Sequence, residues 1–582
     1  MKDSMPAVWK TKRYGGDLRR TLLMTVLLLG AGSAHAFDIP TGSEDVKLRW
    51  DNTLRYTYGH RISGQNQTLI NSPNLDDGDR NFNVGTISNR LDLLSETDLV
   101  YKDDYGVRFS GALWYDQRYR DHLDNTSQNT SNHLANGQPA IGLSDYTKRY
   151  FAGPSGELLD AFAFGKYTIG DIPINIKVGR HTVYWGEAMY ANGGTHGISY
   201  GQSPIDLGKG LSQPSAELKE LFRPRNQVSV QIQPTSDLVI AGNYYLQWEA
   251  DRFPDSGTYL NWADPLGKGS ESIAAGPYRA TNAGDIEPHQ AKDFGVSVRY
   301  SPEWLAGTLG LYYRQFSDII GQMNLKGMYI APAGPFIPQE YRWSYASGID
   351  LYGISLSKKV AGISVGSELS YRKNMPLWSN ANVIVTSVIP PGPPGPPVPV
   401  PHGEFPTSGD TGGARGDTWH AVVNFLKVFG KTPLYDTATG IAEFTWSRID
   451  HVTSHPELFK WGNNTPSSVD RVSKDYIGGQ INFEPTWFQV LPGVDLSMPL
   501  TGSMGLVGNS AVNGGGTKNA GTYSAGFTAD IFQKYKANLS YVGFFGPMGT
   551  PDPNTGEPLN GNGPYVSLKD RNMVIVSLKA TF

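Results

Sequence analysis

Residues 46–58 alternate without a break, with Val46, Leu48, Trp50, Asn52, Leu54, Tyr56 and Tyr58 on one face and Lys47, Arg49, Asp51, Thr53, Arg55 and Thr57 on the other. A period of two belongs to a β-strand with one apolar face and does not fit a helix. The alternation returns where Val228, Val230 and Ile232 interleave with Gln227, Ser229, Gln231 and Gln233, and where Phe294, Val296, Val298 and Tyr300 interleave with Asp293, Gly295, Ser297 and Arg299. A soluble sandwich would also show it, because its apolar faces line a core. Length separates the two: the segments 104–118 and 416–429 run past a dozen residues. Globular strands average ~5 or 6 residues, whereas ~9 to 11 cross a bilayer at a tilt.

The connections alternate as well. Short turns fall at 102–104, 170–173, 234–236, 358–362 and 533–534, and long polar links at 61–85, 120–156, 186–224, 251–290, 318–348 and 373–415. Tight turns at one end and long loops at the other are the pattern of an outer-membrane barrel. The fold expected is therefore an all-β transmembrane antiparallel barrel of about 18 strands, within a range of 16 to 18. Its last strand carries Val574, Val576, Leu578, Ala580 and Phe582 on one face. A terminal aromatic of this kind resembles the signal read by the barrel assembly machinery, which makes Phe582 the contact expected with that partner.

The N-terminus fits the same destination. Lys10, Lys12, Arg13, Arg19 and Arg20 precede an apolar run and then Ala34-His35-Ala36, the order of a secretory signal peptide. Residues 1–36 are expected to be removed, leaving 37–582 as one barrel domain without a composition break. No later apolar run reaches the ~18 residues of a membrane helix. The chain has no Cys, so disulfides contribute nothing to stability, and its net charge of -4 over 582 residues gives no footprint for nucleic acid.

Two segments stand apart from the strands. Residues 389–401 hold the run PPGPPGPPVPVP, too short for a collagen helix and expected to form a stiff arm in an outer loop. Residues 186–224 begin Gly-rich and turn helical near 215–222, after Pro214 and with Glu217 in the first turn. With Tyr184, Trp185, Met189, Tyr190, Tyr200, Leu211 and Phe222 in and beside it, this segment is expected to fold inward as a plug, since an exposed loop would leave those side chains in water. A small echo, Ser301-Pro302-Glu303-Trp304 and Glu484-Pro485-Thr486-Trp487, reads as two longer periplasmic turns with Trp at the interface.

The stretches ISNRLDLLSETDLVY (87–101), VGRHTVYWGEAMY (178–190), GTHGISYGQSPIDLGKGLS (194–212) and ELFRPRNQVSVQIQPT (220–235) resemble a proteobacterial outer-membrane family known as domain of unknown function 1302. The resemblance runs from about Asp45 to Phe582 and departs most in the loops. It implies passage of an apolar small molecule, in concert with a periplasmic lipid-carrier-like protein and an inner-membrane transporter of the resistance-nodulation-division (RND) type. It brings no catalytic residue and no cofactor.

The chemistry legible in the residues is sparse. Arg180, His181, Glu187, His196 and Asp206, with Tyr184, Trp185 and Tyr200, are the candidates for lining a channel or contacting a ligand. Arg180 and His181 would position a polar end of the permeant, although partnered charges scaffolding the plug are the simpler role. The spacing of these His and acidic residues matches no metal motif. Gly197-Ile198-Ser199-Tyr200-Gly201 matches the G-x-S-x-G of hydrolases, but that elbow needs a strand running into a helix, and Ser199 is followed by Gly201-Gln202-Ser203-Pro204. A channel for hydrophobic or amphipathic small molecules is the function expected. The alternatives are an acyl hydrolase using Ser199 and a purely structural barrel.

Overall fold

The computed structural model describes residues 37–134, 136–288, 292–330, 334–389, 398–399, 404–462, 465, 469–549 and 561–582. The signal peptide expected at 1–36 and most of the Pro-rich run lie outside the described residues. One sheet holds 20 segments. Phe37–Ile39 is a short ribbon laid along the first long strand, and Val494–Ser497 and Leu500–Val507 are one strand interrupted at Met498 and Pro499, so the ring itself has eighteen strands.

In chain order these are β1 (Val46–Arg61), β2 (Gly85–Tyr101), β3 (Tyr105–Asp116), β4 (Ser155–Ile169), β5 (Ile172–His181) and β6 (Arg225–Thr235). Next come β7 (Leu238–Tyr245), β8 (Phe294–Tyr300), β9 (Gly307–Phe316), β10 (Ile349–Val360), β11 (Ile363–Pro376) and β12 (Arg415–Phe429). The ring is completed by β13 (Thr437–Ser454), β14 (Asp475–Leu491), the two-piece β15, β16 (Gly521–Ile531), β17 (Tyr535–Phe545) and β18 (Met573–Thr581). Each strand pairs antiparallel with the next, and β18 closes on β1 from Thr53 opposite Thr581 to Arg61 opposite Met573. Closure leaves no edge, so every strand finds its backbone partners inside the wall.

Alternation decides which face meets what. On the outer face Val178, Val296, Leu311, Leu369, Ile481 and Leu539 are exposed, while Arg55, Arg225, Arg314, Arg372, Glu368 and Glu443 turn inward and are buried. Apolar side chains outside and charges inside suit a barrel whose solvent is lipid, and the protein is an outer-membrane β-barrel. Among the described residues no helix is long and apolar enough to cross a membrane. At the C-terminal strand Val576 is exposed and Ser577 is buried against Ser215 Oγ at 2.9 Å, which fixes the register.

Short turns join β2 to β3, β4 to β5, β6 to β7, β8 to β9, β10 to β11, β12 to β13, β14 to β15 and β16 to β17, and every other connection is a long loop at the opposite end. Three of those loops do more than connect. Their strands Ser272–Ala275, Tyr278–Asn282, Gln322–Ile330, Phe336–Ser344, Asn382–Ile389 and Val398–Pro399 form a second, six-stranded mixed sheet. Their polarity reads as loop in the sequence, because a sheet partnered only by other loops has no lipid face to impose alternation. Trp304 sits in a short turn, 78% exposed. Glu484 to Trp487, by contrast, continues β14 and is not a turn.

Candidate functional site

The chain between β5 and β6 leaves the wall at Thr182 and crosses the lumen. Its first half lies against β9 to β13. The Glu368 carboxylate on β11 accepts the N–H groups of Glu187, of Ala188 at 2.9 Å and of Ile198 at 2.6 Å. Glu443 on β13 accepts those of Met189 at 2.6 Å and Tyr190 at 3.2 Å. Two inward arginines take the carbonyls: Arg314 on β9 donates to Ile198 and Tyr200, both at 2.7 Å, and Arg372 on β11 donates to Thr195 at 3.0 Å and Gly197 at 2.9 Å. The wall thus grips the segment by its backbone, with charge-assisted bonds that are the stronger kind. Gly193 and Gly197 lie where a Cβ would meet Glu443 Oε1 at 2.1 Å and the Gly193 carbonyl at 2.8 Å, which is why this half is Gly-rich.

The second half reaches the opposite wall. Arg55 on β1 donates to Gln213 Oε1 at 2.5 Å and to Glu220 at 2.8 Å, Lys219 pairs with Glu96 on β2 at 2.5 Å, and Glu217 pairs with Lys579 on β18. β1 and β10 stand half a turn apart in an eighteen-strand ring, so the segment spans the diameter. The helix there is shorter than the sequence suggests, Leu218–Leu221, with Glu217 as its N-cap and Glu220 accepting the Glu217 N–H at 3.1 Å. Asp206 caps another short helix, Leu207–Ser212, and pairs with Arg252 at 2.9 Å. Arg252 and Lys209 hold its carboxyl below the usual range against the burial that would raise it.

The candidate residues separate by position. Tyr200 is buried, its hydroxyl donating to Asp318 at 2.5 Å, and His196 is buried with Nδ1 3.1 Å from His420 Nδ1 and Nε2 2.9 Å from the Gly515 carbonyl. Trp185 packs on Tyr312, Tyr184 donates to the Ala188 carbonyl at 2.7 Å, and Glu187 accepts from Ser355 at 3.4 Å. His181 faces inward and contacts Ser229 Oγ at 2.8 Å. Arg180 lies on the same face of β5 as the exposed Val178, yet its guanidinium pairs at 3.6 Å with Glu249, which borders the cavity on the loop side. Both ring nitrogens of His181 and of His196 are engaged by groups other than Ser199.

Two cavities lie on either side of this segment. Toward the loops, one of about 510 Å³ is bordered by Trp248, Trp262, Trp343, Trp378, Tyr345 and Phe253. Three of the indole N–H groups are engaged by the protein: Trp248 donates to the Asp318 carbonyl at 3.1 Å, Trp343 to the Pro265 carbonyl at 2.9 Å and Trp378 to Asp470 at 3.2 Å. Six of the charges at this vestibule are paired, Lys268 with Asp285 at 2.5 Å, Lys460 with Asp470 at 2.5 Å and Arg223 with Glu249 at 2.8 Å, while Asp251 and Glu287 also border it. Toward the turns, a second cavity of about 500 Å³ is bordered by Glu187, Met189, Ser357, Lys359, Ser364 and Asn424. Of the candidates read from sequence, Glu187 alone borders either large cavity.

The sequence missed Glu368, Glu443, Arg314, Arg372 and the vestibule tryptophans. The first four had a signal: a charge at an inward position of a membrane strand is costly and marks a working part. The tryptophans had none, being scattered over three loops.

The family model described as "Protein of unknown function (DUF1302)" matches residues 18–582. The chain belongs to this family. No curated protein matches it in sequence. Among solved structures, this family member is similar to OccAB1 of Acinetobacter baumannii, at 8% identity over 94% of this chain and 99% of that one, with a TM-score of 0.41. A BenF-like porin from Pseudomonas fluorescens Pf-5 gives 9% identity over 93% and 98%, with a TM-score of 0.39. OccK3 (OpdO) of Pseudomonas aeruginosa gives 8% over 92% and 95%, with a TM-score of 0.36.

Proposed function

We propose that the protein is a gated outer-membrane channel for hydrophobic or amphipathic small molecules, with 186–224 as its gate. One observation carries this reading: the segment crosses the lumen between an aromatic vestibule and a polar cavity. A barrel of 16 to 18 strands otherwise leaves an aqueous channel. Cavities of this size hold drug-sized molecules, and an aromatic lining with few free polar groups favours an apolar body. The paired charges point the same way, because a charged ligand would have to compete with an existing ion pair.

A second reading, hydrolysis at Ser199, lacks its base, since neither nearby histidine contacts that hydroxyl. As partners in transport we propose a periplasmic lipid-carrier-like protein and an RND-type inner-membrane transporter, the carrier receiving the ligand from the turn-side cavity. Cross-linking from Lys359 to a co-expressed carrier tests that step.

The test of the gate is deletion of residues 192–209, with the ends joined by a short Gly-Ser linker. In planar bilayers the intact protein is expected to show little steady conductance and the deletion a large open pore. Equal conductance would place the barrier elsewhere and defeat the reading.

A further inference from the structure

At the loop end of the barrel, away from the gate, two loops meet through carboxylates. Asp76 and Asp77 begin the short helix Asp77–Arg80 after β1, and Asp264 belongs to the loop between β7 and β8. One carboxylate oxygen from each lies within 4.8 Å of the other two. The three residues are 0%, 2% and 0% exposed. Backbone contacts hold them there: the Asp264 N–H donates to the Asn74 carbonyl at 2.8 Å, and the Asp77 N–H donates to Asp264 Oδ2 at 3.4 Å. A Cβ on Gly78 would come within 2.6 Å of the Thr258 and Asn261 carbonyls, so the two loops are in close backbone contact.

The buried Arg571 donates to the Tyr259 and Asn261 carbonyls, and Asp77 Oδ2 accepts from Thr130 at 3.0 Å and Asn132 at 3.2 Å. Arg61 pairs with Asp79 at 2.6 Å, and Arg80 pairs with Asp76 Oδ2 at 2.5 Å. Asp264, reaching in from the other loop, has an Oδ1 with no hydrogen-bond partner among the described residues, and the same is true of Asp76 Oδ1 and Asp77 Oδ1. The buried Asn261 Oδ1, three residues before Asp264, has none either. Carboxylates removed from water in this way need a proton or a cation.

We propose that Asp76, Asp77 and Asp264 form a calcium site that ties these two loops together. The donors are all hard oxygens. Ligands 2.3 to 2.6 Å from one calcium ion stand at most about 5 Å apart, which accommodates the observed spacing. Magnesium keeps several waters, and side chains this deeply buried leave little place for them. The loop carrying Asp264 also supplies Trp262, Pro265 and Lys268 to the vestibule, so the ion would fix one vestibule wall and render it sensitive to chelation. The site itself stands whether or not the vestibule takes an apolar ligand.

The full-length barrel, purified in detergent and stripped with a chelator, tests this by titration with Tb³⁺. The expected result is saturable luminescence sensitised by Trp262, competed by Ca²⁺ and not by equal Mg²⁺, with Ca²⁺ raising the melting temperature by several degrees. Asp264→Asn should abolish both responses while keeping the gel-mobility shift of a folded barrel, and Asp77→Asn serves if that variant fails to fold. Absence of sensitised Tb³⁺ together with calcium-indifferent melting of the parent, equal competition by Mg²⁺, or undiminished Tb³⁺ binding in the folded variants would each overturn the proposal. Ligand passage is a separate readout, so a failed channel assay leaves the metal result intact.

Discussion

The cavities above and below the gate are nearly equal, about 510 and 500 Å³, and differ in what lines them. The turn-side cavity is walled largely by strands, so it inherits their inward face: Ser357, Lys359, Ser364 and Asn424. At this end the inward positions of the strands are mostly polar. The vestibule is walled by loops, and it gathers Trp248, Trp262, Trp343 and Trp378. In this protein the aromatic surface open to a cavity is gathered by the loops.

The difference is best broken by freeing the gate. Glu368→Ala combined with Glu443→Ala strips the acceptors from the N–H groups of Glu187, Ala188, Met189, Tyr190 and Ile198. Each buried donor left unsatisfied costs about 1 to 3 kcal/mol. Open probability in single-channel records should rise by two orders of magnitude or more, and an unchanged record would show that these carboxylates do not hold the gate.

A smaller effect sharpens the vestibule side. Trp343→Ala should weaken binding of phenanthrene roughly tenfold, about 1.4 kcal/mol, near the upper end for an aromatic pair. Fluorescence quenching measures it, and the conductance of the gate-deleted pore should stay the same. Undiminished binding would take the tryptophans out of the site.

The smallest change belongs to the polar cavity. Lys359→Glu in the gate-deleted background should shift the reversal potential toward cation selectivity by a few millivolts, since an exposed charge in a wide aqueous lumen is strongly screened. Phenanthrene affinity should not move. A change in that affinity would mean the two cavities are coupled.

The ring itself was legible because the membrane imposes a rule on every strand. Val46 to Arg61 shows it: Leu54, Tyr56 and Tyr58 face out while Arg55 and Arg61 are buried inside. The inward fold of 186–224 was legible too, because Trp185, Tyr200 and Phe222 could not be left in water. What each candidate does there was not. Arg180 and His181 are neighbours in sequence, and alternation sets them on opposite faces of β5, one pairing with Glu249 and the other contacting Ser229.

By itself the sequence determined the barrel, a count of 16 to 18 strands, which end carries the loops, and that one link carries apolar groups that favour an inward fold. Each of these follows from local periodicity, or from the cost of exposing apolar groups, and needs no knowledge of distant partners. Only the tertiary structure decided the rest. Glu368 meets the backbone of Glu187, and Asp264 meets Asp77, across separations of 181 and 187 residues. Those contacts depend on ring closure and loop packing, which place residues together without leaving any period, spacing or motif along the chain.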